Sequence, residues 1–320
     1  MKQILLTCDT EIGELSRDVE GAFDLFVCGR VGGEEVGVSL INAVAKEYGA
    51  TVNHFVDIYP PQYELEFARL CEEILSAGHF VGLHTHPSTR YGKRYMHEYT
   101  SEEQKRIVAW GKEWFQQHLG LDVRAHRAGG YGADTHIHEI LRANGIPMDS
   151  SFFYRAPQCK MDYPHINRPA LHGGVYEVPV TVYLEKSVFL GRELRRRQAV
   201  KKLDFRYGSD SKAILEVIRR VPRDSIIVLF LHSFNFMEFT YHIKTGTYTD
   251  FRVHRRLIEE YHALLDGIRA MGDTVFIDFD RLDMGQEASA DFCVEVKRPL
   301  DLCGAVWQRI ETRILGRTMT

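Results

Sequence analysis

The feature that most narrows the folds open to this chain is the alternation of short apolar runs with longer stretches of helical spacing. Runs of strand type fall at residues 4–8, 51–56, 81–85, 124–128, 147–151, 175–183, 226–231 and 275–279. Apolar residues at helical spacing occupy 37–48, 63–77, 101–118, 136–144, 209–221 and 251–271. Gly49, Gly78, Gly120 and Gly145 stand at the ends of four of these stretches, and Thr100-Ser101-Glu102-Glu103 reads as a capping sequence. Strands that alternate with helices build parallel sheets with crossover helices. Seven or eight such units in 320 residues predict an α/β fold, a deformed (β/α)7-8 barrel, rather than an open sheet. With no linker or internal repeat, residues 1–280 are expected to form one barrel domain and residues 281–320 an extension with one helix.

Two segments depart from the alternation. Residues 152–174, rich in Pro, Gly, His and Tyr, read as a long loop. Residues 185–202 gather Arg192, Arg195, Arg196, Arg197, Lys201 and Lys202, either as a solvated helix face or as an electropositive rim for a phosphate.

Charge and cysteine usage exclude several classes. Forty Lys and Arg against 44 Asp and Glu leave a net charge of −4, which is no footprint for nucleic acid. Cysteines at 8, 28, 71, 159, 293 and 303 include no C-x-x-C pair, against a disulfide framework or a thiolate zinc site. The apolar run after Lys2 breaks at Asp9 and Glu11, too early for a signal peptide. No run approaches the ~20 apolar residues of a membrane span. Free thiols without an export signal predict a cytoplasmic protein.

Polar residues cluster where the expected strands end. Asp9 and Glu11 follow the first, His84 and His86 the third, Arg127 the fourth, Asp149 sits at the fifth, and His232 follows 226–231. In a parallel barrel these ends converge on one mouth, where active sites lie. Residues i and i+2 of a strand share a face, so both imidazoles of His84-Thr85-His86 reach one metal ion, and Asp9-Thr10-Glu11 repeats the pattern with carboxylates. Two histidines and one carboxylate make a divalent site with open positions, zinc by ligand type, and leave the other carboxylate free as a base. His232 is placed as a general acid, since imidazole is easily poised near neutral pH. Arg127 opens the glycine-rich turn Arg127-Ala128-Gly129-Gly130-Tyr131-Gly132, whose backbone N–H groups can approach a substrate oxygen. Aromatic residues near these positions, Tyr91, Phe153 and Phe234 among them, either face a ligand or roof the mouth.

The order of these segments resembles the polysaccharide deacetylase superfamily, the NodB-homology fold of carbohydrate esterase family four, over about residues 3 to 280. Leu6-Thr7-Cys8-Asp9-Thr10-Glu11 is similar to its first motif, Gly82-Leu83-His84-Thr85-His86-Pro87 to its second and Arg127–Gly132 to its third. The neighbourhood of Asp149 is similar to the fourth, and Leu231-His232-Ser233 to the fifth. Thr10 stands where the family has a ligating aspartate, the histidines are two apart rather than four, and Gly130 replaces a proline. The pattern is that of a divergent branch, similar to deacetylase-like proteins of surface-polysaccharide gene clusters.

The resemblance implies metal-dependent removal of an N-acetyl group from a sugar. Glu11, His84 and His86 would hold one divalent ion, and Asp9 would take a proton from water, with the roles of Asp9 and Glu11 open to exchange. Arg127 would keep Asp9 ionised, the backbone N–H of Tyr131 would stabilise the oxyanion, and His232, oriented by Asp149, would protonate the leaving amine. Tyr91, Phe153 and Phe234 would bind an N-acetylated sugar, phosphate-linked if the 192–202 segment forms a rim. Two readings compete. One is a catalytically degenerate barrel that binds a glycan or a partner. The other is an amidohydrolase acting on a non-sugar C–N bond, which a two-ion centre would favour.

Overall fold

The structure, a computed structural model, describes residues 1–13, 19–189, 192–204, 206, 209–285, 290–299 and 317–319. The first strand, β1 (Lys2–Thr10), is buried along almost its whole length, the pattern expected when both faces of a strand are covered. It sits inside the sheet, with β7 (Ile226–His232) on one edge and β2 (Val52–Asp57) on the other, both parallel to it. From β2 the sheet continues through β3 (Phe80–Thr85), β4 (Ala125–Ala128), β5 (Met148–Asp149) and β6 (Val175–Glu177), each parallel to the one before. The antiparallel strand Ala170–His172 follows β6, and Thr274–Phe276 shares with β2 the second edge of β1.

The sheet curls back on itself. Leu203 bridges the two ends, since its N–H donates to the Thr181 carbonyl (3.2 Å) and its carbonyl accepts from Phe230 N–H (3.0 Å). Thr181 Oγ1 also accepts from Val228 N–H at 2.9 Å. The result is a deformed β/α barrel in one domain, as the strand and helix alternation predicts.

Strand alternation divides the core. Leu5, Phe55, Phe80, Ala125, Met148, Tyr176 and Val228 pack inside the curl, over Phe279. Ile4, Leu6, Cys8, Val52, Val56, Val81 and Leu83 face outward and pack with the helices. Those helices are α1 (Val38–Glu47), α2 (Glu64–Ser76), α3 (Ser101–Leu119), α4 (Ile137–Ala143), α5 (Ser211–Arg220) and α6 (Arg255–Arg269). Among the described residues no helix is long and apolar enough to cross a membrane.

Helix α3 starts where the capping sequence places it. Thr100 Oγ1 accepts from Glu103 N–H at 3.3 Å, and Glu103 Oε2 accepts from Thr100 N–H at 2.8 Å. Gly120, at φ 62°, ends the helix in the left-handed conformation. Thr100→Ala is expected to cost about 1 kcal/mol of stability without touching the barrel mouth, a shift in urea midpoint at unchanged slope.

Three sequence expectations change. The last long helix begins at Arg255 rather than 251, because Thr247–Val253 forms an antiparallel pair with Met237–His242. The basic segment is a strand, Arg192–Lys202, antiparallel to Val182–Phe189 and not a helix face. Its long-range partner decides its conformation, and local periodicity cannot see that partner. In the tail, Val294–Pro299 is a strand on the other edge of Val182–Phe189. Residues 300–316, on which most of the expected tail helix falls, lie outside the described ones.

Candidate active site

The end of β1 carries the first two functional side chains. Asp9 and Glu11 turn into the mouth, and Thr10 between them faces the helices, with Oγ1 2.8 Å from His54 Nδ1. Ser233 fixes the turn beyond β1: its Oγ accepts from Glu11 N–H (3.2 Å) and donates to the Glu11 carbonyl (3.1 Å).

The end of β3 supplies the histidines. His84 Nε2 lies 3.2 Å from Glu11 Oε2 and 3.6 Å from Asp9 Oδ2, and His86 Nε2 lies 2.6 Å from Glu11 Oε2. One ligand atom each from Glu11, His84 and His86 falls within 4.8 Å of the others. His84 Nδ1 is 2.9 Å from the Arg127 carbonyl, which can only accept, so Nδ1 carries the proton and Nε2 turns its lone pair to the site. Burial pushes the Glu11 carboxyl up, but His86, by its charge and its hydrogen bond, leads the effects that outweigh it and hold Glu11 well below the usual range. Burial pulls His86 down, Glu11 outweighs it, and His86 rises to about 9.

Arg127 organises the centre of the mouth from β4. It is fully buried, with its guanidinium 4.2 Å from the centre of the Phe55 ring and 4.9 Å from that of Phe230. Nη1–H donates to Asp9 Oδ1 (2.7 Å) and Thr7 Oγ1 (3.0 Å), Nε–H to the Ser150 carbonyl (3.1 Å) and Nη2–H to Ser150 Oγ (3.0 Å). Asp9 is thus held by a cation that has no freedom of its own.

The turn after β4 is shaped by contact with β3. A Cβ at Gly129 would stand 2.6 Å from the His86 ring, closer than side chains pack. Gly129→Ala is therefore expected to displace His86, and to weaken about 10- to 100-fold the hold of Glu11, His84 and His86 on any divalent ion placed there, measured by competition with a chromogenic chelator.

His232, at the end of β7, is the register partner of Asp9 across the β1–β7 pair. Its ring stacks on Phe234 at 5.0 Å and meets Phe230 edge-on at 5.0 Å. Burial, reinforced by Lys202, lowers His232 to about 4, so it is neutral at neutral pH. Lys202 points into the mouth, donating to Tyr131 Oη (3.0 Å) and pairing with Asp204 Oδ2 (3.0 Å), with Nζ 3.6 Å above the Phe230 ring.

The expected sugar contacts separate. Phe153 meets Tyr131 edge-on at 5.0 Å and Phe234 covers His232, whereas Tyr91 makes its ring contact with Tyr59 at 6.2 Å. Tyr131 itself has φ 60° beside Gly130 at 54°, a left-handed pair that presents its buried ring to Phe230.

Asp149 is not the partner of His232. It faces the helix side of the sheet, where it accepts from His126 Nδ1–H (2.8 Å) and Ser151 Oγ–H (2.6 Å). Adjacent strand residues point to opposite faces, so Arg127 and Ser150 turn inward while His126 and Asp149 turn out.

Two mouth residues escape the sequence reading. Asp57 ends β2 beside His84 in register, fully buried, and burial raises its carboxyl to about 6 against the pull of His86 and His84. An acid directly after an apolar strand was the available signal, the same one that marks Asp9. Lys202 was visible only as part of a basic run.

Solved structures share this architecture. A Mycobacterium smegmatis protein assigned to the polysaccharide deacetylases matches with a TM-score of 0.55 over 93% of this chain and 94% of its own, at 17% identity. A family 4 carbohydrate esterase from Streptomyces lividans, in complex with acetate, gives 0.46 over 91% and 98% at 9% identity. A family 4 pseudoenzyme from Bacillus anthracis gives 0.44 over 94% and 70% at 12% identity. No family model and no curated protein matches the chain by sequence. The first of these likenesses shows the fold: this chain has the barrel of the polysaccharide deacetylases.

Proposed function

We propose that this protein is a metal-dependent hydrolase that removes an N-acetyl group from a sugar, with residues 1–280 as the catalytic barrel and 281–320 as an extension. The observation that carries the reading is the convergence of Glu11, His84 and His86 on one point beside Asp9, which Arg127 holds separately. The donor set fits a divalent ion, one anionic oxygen and two imidazoles with the His84 tautomer already fixed, and zinc is the expected metal. When bound, such an ion supplies Lewis-acid polarisation of a carbonyl and an acidified water.

The chain's own residues do the rest. Arg127 holds and aims the Asp9 carboxylate, so Asp9 can accept a proton from water. His232 is neutral at rest, so the proton it gives to the leaving nitrogen must first reach it, and Asp9 across the strand pair is its source. The backbone N–H of Tyr131 is the oxyanion donor, and Phe153 and Phe234 form apolar walls for a sugar ring. A cytoplasmic enzyme of this kind would act on a sugar linked to a nucleotide or to a lipid phosphate.

The test is acetate release from N-acetylated sugar nucleotides, together with elemental analysis. Acetate release with zinc present, and loss of both the mouth ion and turnover in His84→Ala, are expected. A bound ion with no release from any N-acetylated sugar tried would leave a binding barrel in place of an enzyme.

A further inference from the structure

A second constellation lies on the opposite side of the sheet. His126 of β4, Asp149 of β5 and Glu177 of β6 form a row across three parallel strands, since Asp149 is in register with both of its neighbours. Helix α4 covers the row and lowers His138 onto it. His138 is 5% exposed, and Asp149 and Glu177 are fully buried.

The hydrogen bonds around the row leave one point unfilled. Asp149 Oδ1 is saturated by His126 and Ser151, and His126 Nε2 meets Thr85 Oγ1 at 3.0 Å. Glu177 Oε1 accepts from Phe152 N–H at 3.0 Å. His138 Nδ1 faces His172 Nδ1 at 3.1 Å. What remains are His138 Nε2, Asp149 Oδ2 and Glu177 Oε2, and these three atoms turn toward one another. His138 Nε2 lies 2.9 Å from Glu177 Oε2 and 3.8 Å from Asp149 Oδ2, and the three lie within 4.8 Å of one another.

A hydrogen-bonded network alone does not account for this. Asp149 Oδ2 is buried with no hydrogen-bond partner, a costly state for a carboxylate oxygen. Two buried carboxylates also share the pocket with one imidazole. Ligand atoms about 2 Å from a tetrahedral ion stand about 3.3 Å apart, between the two distances observed from His138. The surroundings suit a ligand set as well: with Nδ1–H given to His172, His138 offers Nε2, and each carboxylate is steadied through its other oxygen.

We infer that His138, Asp149 and Glu177 form a second divalent-metal site, of zinc type and structural in role, that clamps α4 to β5 and β6 on the face away from the mouth. It differs from a two-ion centre at the mouth because it shares no ligand with Glu11, His84 or His86.

The test uses the full chain carrying His84→Ala and His86→Ala, which removes the mouth ligands. After loading with zinc and removal of loose metal, elemental analysis is expected to find about one ion per chain, against about two in the unmodified protein. Adding His138→Ala is expected to bring the count to zero. If that variant does not fold by circular dichroism, Glu177→Gln, close in size, takes its place with the same expected loss.

The inference is overturned by a His84→Ala/His86→Ala protein that folds yet holds no ion, the result a two-ion mouth would give. It is equally overturned by an ion that persists in a folded His138→Ala or Glu177→Gln chain. One ion in the unmodified protein, kept without His84 and lost without His138, would support this site and sink the metal-dependent reading of the mouth, so the two proposals fail separately.

Discussion

Replacing Arg127 with methionine is expected to lower stability by about 3–5 kcal/mol and to abolish turnover at neutral pH. The guanidinium lies between Phe55 and Phe230, where methionine can fill much of its volume, so the loss comes from charge and hydrogen bonds rather than from a cavity. Removing one partner of a buried pair leaves the other charge uncompensated, and that loss is of this size. Asp9 would then sit buried without the guanidinium that holds and aims its carboxylate. Lysine is no substitute, because one ammonium cannot span Asp9, Thr7 and both Ser150 acceptors in the fixed fork of an arginine. Urea denaturation checks the first part, and turnover of the folded variant, with kcat and KM measured separately, checks the second.

The second large effect is at Asp9 itself. Asp9→Asn is expected to reduce kcat by about 100- to 10,000-fold while the ion at the mouth is retained, the range for loss of a general base. Glu11→Gln is expected to do the reverse, losing the ion first, because Glu11 stands between both histidines, whereas of the two Asp9 approaches only His84, at 3.6 Å. If Asp9→Asn loses the ion and Glu11→Gln keeps it, the two carboxylates exchange roles.

What the sequence made legible follows from period and position. The alternation of short apolar runs with helical stretches led to the barrel, and the period of two along a strand put Asp9 with Glu11 and His84 with His86 on one face. It also sends Thr10 outward to His54, so the residue that cannot ligate is the one turned away. Asp149 was misread because its strand is only two residues long, too short for alternation to show which face it presents. The Arg192–Lys202 segment offered a helix face or an electropositive rim but no strand, because its pairing partners lie in Val182–Phe189 and, through that strand, in Val294–Pro299. His138 and Glu177 gave no signal, since they meet only when a helix is laid over a sheet row.

The central place of β1 also bears on the order in which the molecule can be assembled. Thr7 bonds to Leu229, 222 residues further along the chain. Until that segment is synthesised, one edge of an almost wholly buried strand has no mate, and contacts of such long span are slow to form. The delay reaches the mouth, because Ser233 anchors both Asp9, through a 3.0 Å backbone bond, and Glu11. A nascent chain that has reached residue 225 already contains Asp9, Glu11, His84, His86 and Arg127, yet lacks the Ser233 bonds that fix the turn after β1. An ion held by Glu11, His84 and His86 would therefore find its full seat only after residues 226–233 have paired with β1.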